Sequence, residues 1–140
     1  MRWRATAGRW LAAHARPGDV LAIRAAGIIP YYSGLPTIDI LGLNDVHIAH
    51  RKVPGMGGFG RSIGHEKEDL PYVLARRPTY YVDEYLYVTG ESVPDLRRRL
   101  LDRPALREVG DLYEARAVEL TLDAGDGPRP HWFNFLELRR

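Results

Sequence analysis

Two short apolar runs, residues 20–24 and 37–41, flank a connector punctuated by Pro30 and Gly34. This spacing constrains the chain more than any other feature. The first run ends at Ala25, Ala26 and Gly27, small residues that let another backbone or a ligand come close. The second is rich in isoleucine and stops at Gly42. A parallel crossover needs about 10–12 residues, and the connector is near that lower limit, with room for one helical turn. Two neighbouring parallel strands are therefore expected. Asn44 or Asp45 then caps a helix through His50 or Arg51, its side-chain oxygen accepting from the free amides of the first turn.

The remaining elements fit around this unit. Residues 1–15 read as a helix, with Trp3, Ala7, Trp10, Leu11 and His14 at helical spacing. Its arginines and tryptophans suit an amphipathic helix packed on a sheet, and equally a segment emerging from a bilayer. The segment 53–64, VPGMGGFGRSIG, holds five glycines and costs much entropy to order. Residues 66–77 read as a helix with Pro71 in its first turn and Arg76 and Arg77 in its last. Residues 79–88 form an aromatic strand that Asp83 and Glu84 interrupt, and 92–101 a helix capped by Ser92. Strands at 113–122 and 132–138 follow, joined by a hairpin connection over 123–131. The expected architecture is one domain, a small Rossmann-like three-layer α/β sandwich with a mixed sheet and a C-terminal antiparallel hairpin. Ligands of such sheets sit beyond the carboxyl ends of the parallel strands, which puts the segments after Arg24 and Leu41 at a common mouth.

Composition removes several classes of function. The net charge is +2, with nine basic and six acidic residues among the first 70 and eleven and twelve among the rest. Interspersed signs of this kind describe a solvated surface and give no footprint for nucleic acid. Without cysteine there is no disulfide framework or thiolate chemistry. No run approaches the ~20 apolar residues of a membrane span, so the chain as written is expected to be soluble.

The candidate ligand-binding residues are Tyr31, Tyr32, Asp39, Asn44, Asp45, His47, His50, His65, Glu66 and Lys67. His47 and His50 are three apart and share a helix face. With nearby carboxylates they approach a metal set, but the spacing matches no zinc motif, and no metal or cofactor is expected. The glycine loop lacks the spacing of a nucleotide-binding loop, and Ser33 lacks a nucleophile elbow. Tyr31 and Tyr32 suit either a platform for sugar rings or packing with hydroxyl partners. Asp39 interrupts an apolar strand, where a carboxylate must be paired or hydrogen-bonded. It is either an acceptor for turn amides or a site group.

GIIPYYSG from Gly27 to Gly34, TIDILGLND from Thr37 to Asp45, and HIAH from His47 to His50 together resemble a known domain. So do GHEK from Gly64 to Lys67 and FNF from Phe133 to Phe135. The similarity is to the C-terminal extracytoplasmic domain of bacterial polytopic, C-type-fold glycosyltransferases that use polyprenyl-phosphate sugars, the arabinofuranosyltransferase-like proteins among them. It spans nearly the whole chain. In that family the catalytic carboxylate and donor site belong to a membrane-embedded part that this chain does not contain. The resemblance thus implies a domain that is not catalytic alone, assists binding of an acceptor glycan or lipid-linked sugar, and works with a membrane-embedded portion on the extracytoplasmic face. Two other readings stand beside it. One is a small free-standing hydrolase using the His/Asp cluster as acid–base or metal groups. The other is a partner-docking module using the aromatic strand.

Overall fold

The computed structural model of the chain describes residues 2–54, 56, 67–82, 88–89, 98, 102–124 and 127–140. The expected helix at 92–101 apart from Arg98, most of the glycine segment, and residues 83–87 lie outside the described residues. The elements are α1 (Arg2–His14), β1 (Leu21–Ile23), α2 (Ile28–Ser33), β2 (Thr37–Asp39), α3 (Val46–Ala49), α4 (Leu70–Ala75), β3 (Tyr80–Val82), β4 (Val88–Thr89), α5 (Pro104–Arg107), β5 (Tyr113–Ala124) and β6 (Gly127–Leu138). A 3-10 turn, Gly110–Leu112, leads into β5.

The sheet is mixed and six-stranded. β1 is its parallel centre, with β2 on one side and β3 on the other. β6 runs antiparallel to β3 and is covered along its other side by β5. β4 joins β6 at Phe133 and Trp132. The short connector does carry a parallel crossover: α2 forms there and Gly34 ends it in the left-handed conformation. The return from β2 to β3 passes through α3 and α4.

Side-chain alternation along the strands separates two cores. Leu21, Ile23, Tyr80, Val82, Phe133 and Phe135 pack with α1 and α2 through Ala7, Leu11 and Ile29. Ala22, Ile38, Tyr81 and Leu136 pack on the opposite face with Ile48, Val73, Leu74 and Leu106 from α3, α4 and α5. Helices thus cover both faces, which makes the three layers. α1 owes its place to this face: Ala7 and Leu11 are fully buried, and the Trp10 ring lies 5.5 Å from Phe135. Among the described residues no helix is long and apolar enough to cross a membrane.

Several boundaries differ from the sequence expectation, each for a local reason. The helix expected over 66–77 begins only at Leu70, because Asp69 is its cap and accepts from the Tyr72 amide. The hairpin ladder runs on to Ala124 and Gly127, leaving two residues where a nine-residue connection is expected. Pro128 and Pro130 fit inside that ladder because prolines two apart place their missing N–H groups on one side of the strand. Among the described residues, β6 pairs over that reach only with β5. α5, opened by Pro104, carries a proline in its first turn, a start signal that reading from composition passed over.

Candidate functional site

The site residues are positioned by a turn that the chain makes after β2. Asp39 ends that strand, buried to 1% exposure. Its two oxygens accept from the amides of Leu41 and Asn44, both at 3.0 Å. Asp39 is therefore an acceptor for turn amides, the first of its two expected roles. Gly42 adopts a φ of +79° there, and a Cβ on it would lie 2.5 Å from the Ile48 side chain. The absence of that carbon brings the start of α3 down onto the sheet.

Asp45 and Asp69 then build a reciprocal pair of caps. Asp45 Oδ1 accepts from the Ile48 amide of its own helix, α3. Its Oδ2 accepts from the Tyr72 hydroxyl on α4 at 3.3 Å and from Arg76, the residue that ends α4, at 3.1 Å. Asp69 does the converse. Its Oδ1 caps α4 through the Tyr72 amide, while Oδ2 lies 3.3 Å from Nε2 of His47 on α3 and 3.9 Å from Nε of Arg51. Burial raises the Asp69 carboxyl, but the Tyr72 amide, His47 and Arg51 outweigh it and hold it below the ordinary carboxylate value. The His47 ring stacks on Tyr72 with centroids 4.0 Å apart.

Between these helices lies an open cleft of about 590 Å³, lined by Val46, His47, His50, Arg51 and Asp69. It offers an imidazole on a phenol ring, a carboxylate, a guanidinium and a second imidazole. With Nε2 of His47 donating to Asp69, a neutral ring keeps Nδ1 as an acceptor. Such a set can hold hydroxyl groups or move a proton at His47. Among the described residues, no three His, Cys, Asp or Glu side chains gather as a metal site requires.

The expected site residues fall into separate places. His47 and His50 line the α3–α4 cleft, Asp45 caps α3 beside it and bonds Tyr72 and Arg76, and Asn44 is exposed just before α3. Lys67 donates its Nζ to the Ala49 carbonyl at the end of α3. His65 and Glu66 lie outside the described residues. Tyr31 and Tyr32 sit on α2, in the layer on the other face of the sheet from α3 and α4. Tyr31 is 81% exposed, its ring meets Tyr32 edge-on at 5.2 Å, and Arg9 lies over Tyr32. Sequence reasoning missed Asp69, Tyr72 and Arg51 as cleft residues. The signal was present in part, since Asp69 stands three before Tyr72 in the spacing of an N-cap and its amide.

The fold and cleft define a three-layer α/β domain whose candidate site is at the carboxyl ends of its parallel strands. The chain belongs to the family described as Domain of unknown function (DUF8728), which matches residues 1–132. No curated protein and no solved structure matches the chain.

Proposed function

We propose that this domain holds a glycan acceptor or a lipid-linked sugar in the α3–α4 cleft and is not catalytic on its own. The observation that carries the reading is the cleft itself, which sets the His47–Tyr72 stack beside Asp69, Arg51 and His50. Sugars present apolar C–H faces and dense hydroxyl groups, and a flat ring with carboxylate and guanidinium partners answers both. The resemblance to the extracytoplasmic domain of polyprenyl-phosphate-sugar glycosyltransferases supports the same reading. It adds a setting on the extracytoplasmic face and a membrane-embedded portion as partner.

The test is an NMR titration with neutral oligosaccharides and a short polyprenyl-phosphate sugar. The expected result is movement of amides in residues 44–51 and 69–72, with binding weakened at least about tenfold in His47→Ala. If those amides stay still in every titration, the cleft is not a glycan site. Shifts confined to residues 28–34 would instead assign the ligand to the exposed Tyr31–Tyr32 pair.

The 3.3 Å approach of His47 to Asp69 favours a second reading, a free-standing hydrolase with His47 as general base. Turnover of simple aryl esters and aryl glycosides, lost in His47→Gln, would support it. Stoichiometric metal in protein purified without a metal-affinity tag would support the metal-assisted form. Absence of turnover with both substrate classes across pH 5–9 removes it.

A further inference from the structure

On the other face of the sheet from the cleft, α2 rests closely on α1. Gly8 permits this contact, because a Cβ on it would strike the Tyr32 side chain and the Ile29 carbonyl. Arg9 follows directly, and its guanidinium lies over the Tyr32 ring, 4.7 Å from the centroid. Tyr31 meets the same ring edge-on, with the planes at 88°. Tyr31 is 81% exposed, Tyr32 38%, and Arg9 is exposed beside them. Among the described residues, neither the Arg9 guanidinium nor either tyrosine hydroxyl has a hydrogen-bond or ion-pair partner. The three side chains therefore form a contiguous patch whose polar groups are all open to solvent.

The chemistry of this patch complements one kind of ligand. Stacking on Tyr32 steadies the guanidinium and leaves its planar N–H fork available, the group that pairs bidentately with a carboxylate. Residues 2–18 and 25–36, the stretches that carry α1 and α2, contain no aspartate or glutamate, so they supply no carboxylate of their own. The exposed Tyr31 ring offers a flat apolar face of the kind the C–H side of a sugar covers, and the two hydroxyls beside it can donate or accept. We propose that Arg9, Tyr31 and Tyr32 form a surface site for an acidic sugar, a uronate whose carboxylate pairs with Arg9 while its ring lies on Tyr31. The site shares no residue with the α3–α4 cleft, so it stands or falls apart from the glycan reading.

The experiment is an NMR titration at constant ionic strength, with methyl glucuronide, methyl glucoside and acetate as separate arms. The glucuronide is expected to move the amides around Arg9 and those between Pro30 and Gly34. It should bind roughly fivefold more tightly than the neutral glucoside, the increment an exposed ion pair supplies. Acetate, which has the carboxylate without the ring, should bind more weakly than the glucuronide. Arg9→Gln is expected to erase the advantage over the glucoside, and Tyr31→Ala the advantage over acetate. No response to the glucuronide, equal affinity for glucuronide and glucoside, or an advantage that survives in Arg9→Gln overturns the proposal. So does a response to acetate as strong as that to the glucuronide. Shifts confined to residues 44–51 and 69–72 also overturn it, by placing the acidic sugar in the cleft, and in that case the glycan reading stands. Should a variant fail to fold, the three arms on the native chain decide.

Discussion

At the scale of single residues, Asp39 shows how burial separates two roles that a sequence leaves open. A carboxylate at 1% exposure survives only if its oxygens are used, and both are used by main-chain amides of its own turn. Asp39→Asn keeps one acceptor and turns the other into a donor facing an N–H. We predict a loss of roughly 1–3 kcal/mol, and more for Asp39→Ala, read from urea midpoints. An unchanged midpoint in Asp39→Ala would contradict this account of the turn. Gly8 makes the same kind of argument through space. A Cβ there would come 2.7 Å from Tyr32 Cβ and 2.8 Å from the Ile29 carbonyl oxygen. Gly8→Ala is expected to force α1 and α2 apart at a cost of about 1–3 kcal/mol. A thermal melt equal to that of the native protein would show that α2 can move aside freely.

At the scale of elements, α3 and α4 are too short to stand alone, since isolated helices under ~12–15 residues are marginal in water. They persist here because each is capped by an aspartate that also grips the other. Removing Asp69 takes away the α4 cap and the anchor of the His47 ring together. Asp69→Ala is therefore expected to lose about 1 kcal/mol or more and to weaken ligand binding in the cleft. Asp69→Asn keeps an acceptor for the Tyr72 amide and should recover most of the stability but not the charge at His47. Equal stability of the two variants in denaturant melts would rule out the cap as the main contribution.

At the scale of the whole molecule, Asp19 ties distant parts of the chain. It accepts from the Arg16 amide, from Thr79 just before β3 and from Arg140 after β6. Burial raises its carboxyl, but these partners outweigh that and leave it below its ordinary value. Asp69 is shifted in the same direction. A depressed folded pKa stabilises above the unfolded value of about 3.9 and loses that stability as pH falls through the folded value. Tyr113 behaves oppositely. Burial pushes its phenol up to about 12, and its hydroxyl donates to the Pro78 carbonyl at 2.9 Å. A raised phenol stabilises fully below the unfolded value of about 10 and loses that contribution as pH rises from there towards 12. We predict a melting temperature that is level through neutral pH, falls below about pH 4 and falls again above about pH 10. Asp19→Asn should shrink the acid limb and Tyr113→Phe the alkaline one. Limbs unchanged in both variants would place the pH dependence elsewhere.

Much of the fold was legible before any coordinates, and the illegible parts share a cause. Apolar runs of isoleucine and valine, Pro30 and Gly34 in a short connector, and the Asp45 cap each act within a few residues, so the crossover, the strands and the start of α3 could be read from order alone. Asp45, His47 and His50 were likewise legible because one turn of helix sets their spacing. Partners far apart in sequence were not. Asp69 meets His47 across 22 positions, and Glu68 meets Arg24 across 44. The placement of Tyr31 and Tyr32 on the other face of the sheet was equally hidden, since it follows from which crossover covers which side. The sequence by itself determined the class of the fold, the turn and the caps, because those rest on local backbone preferences and on alternation along strands. Only the tertiary structure decided which charges share a carboxylate and which rings share a cleft, because those depend on how β1 separates two crossovers and on which side chains burial leaves within reach.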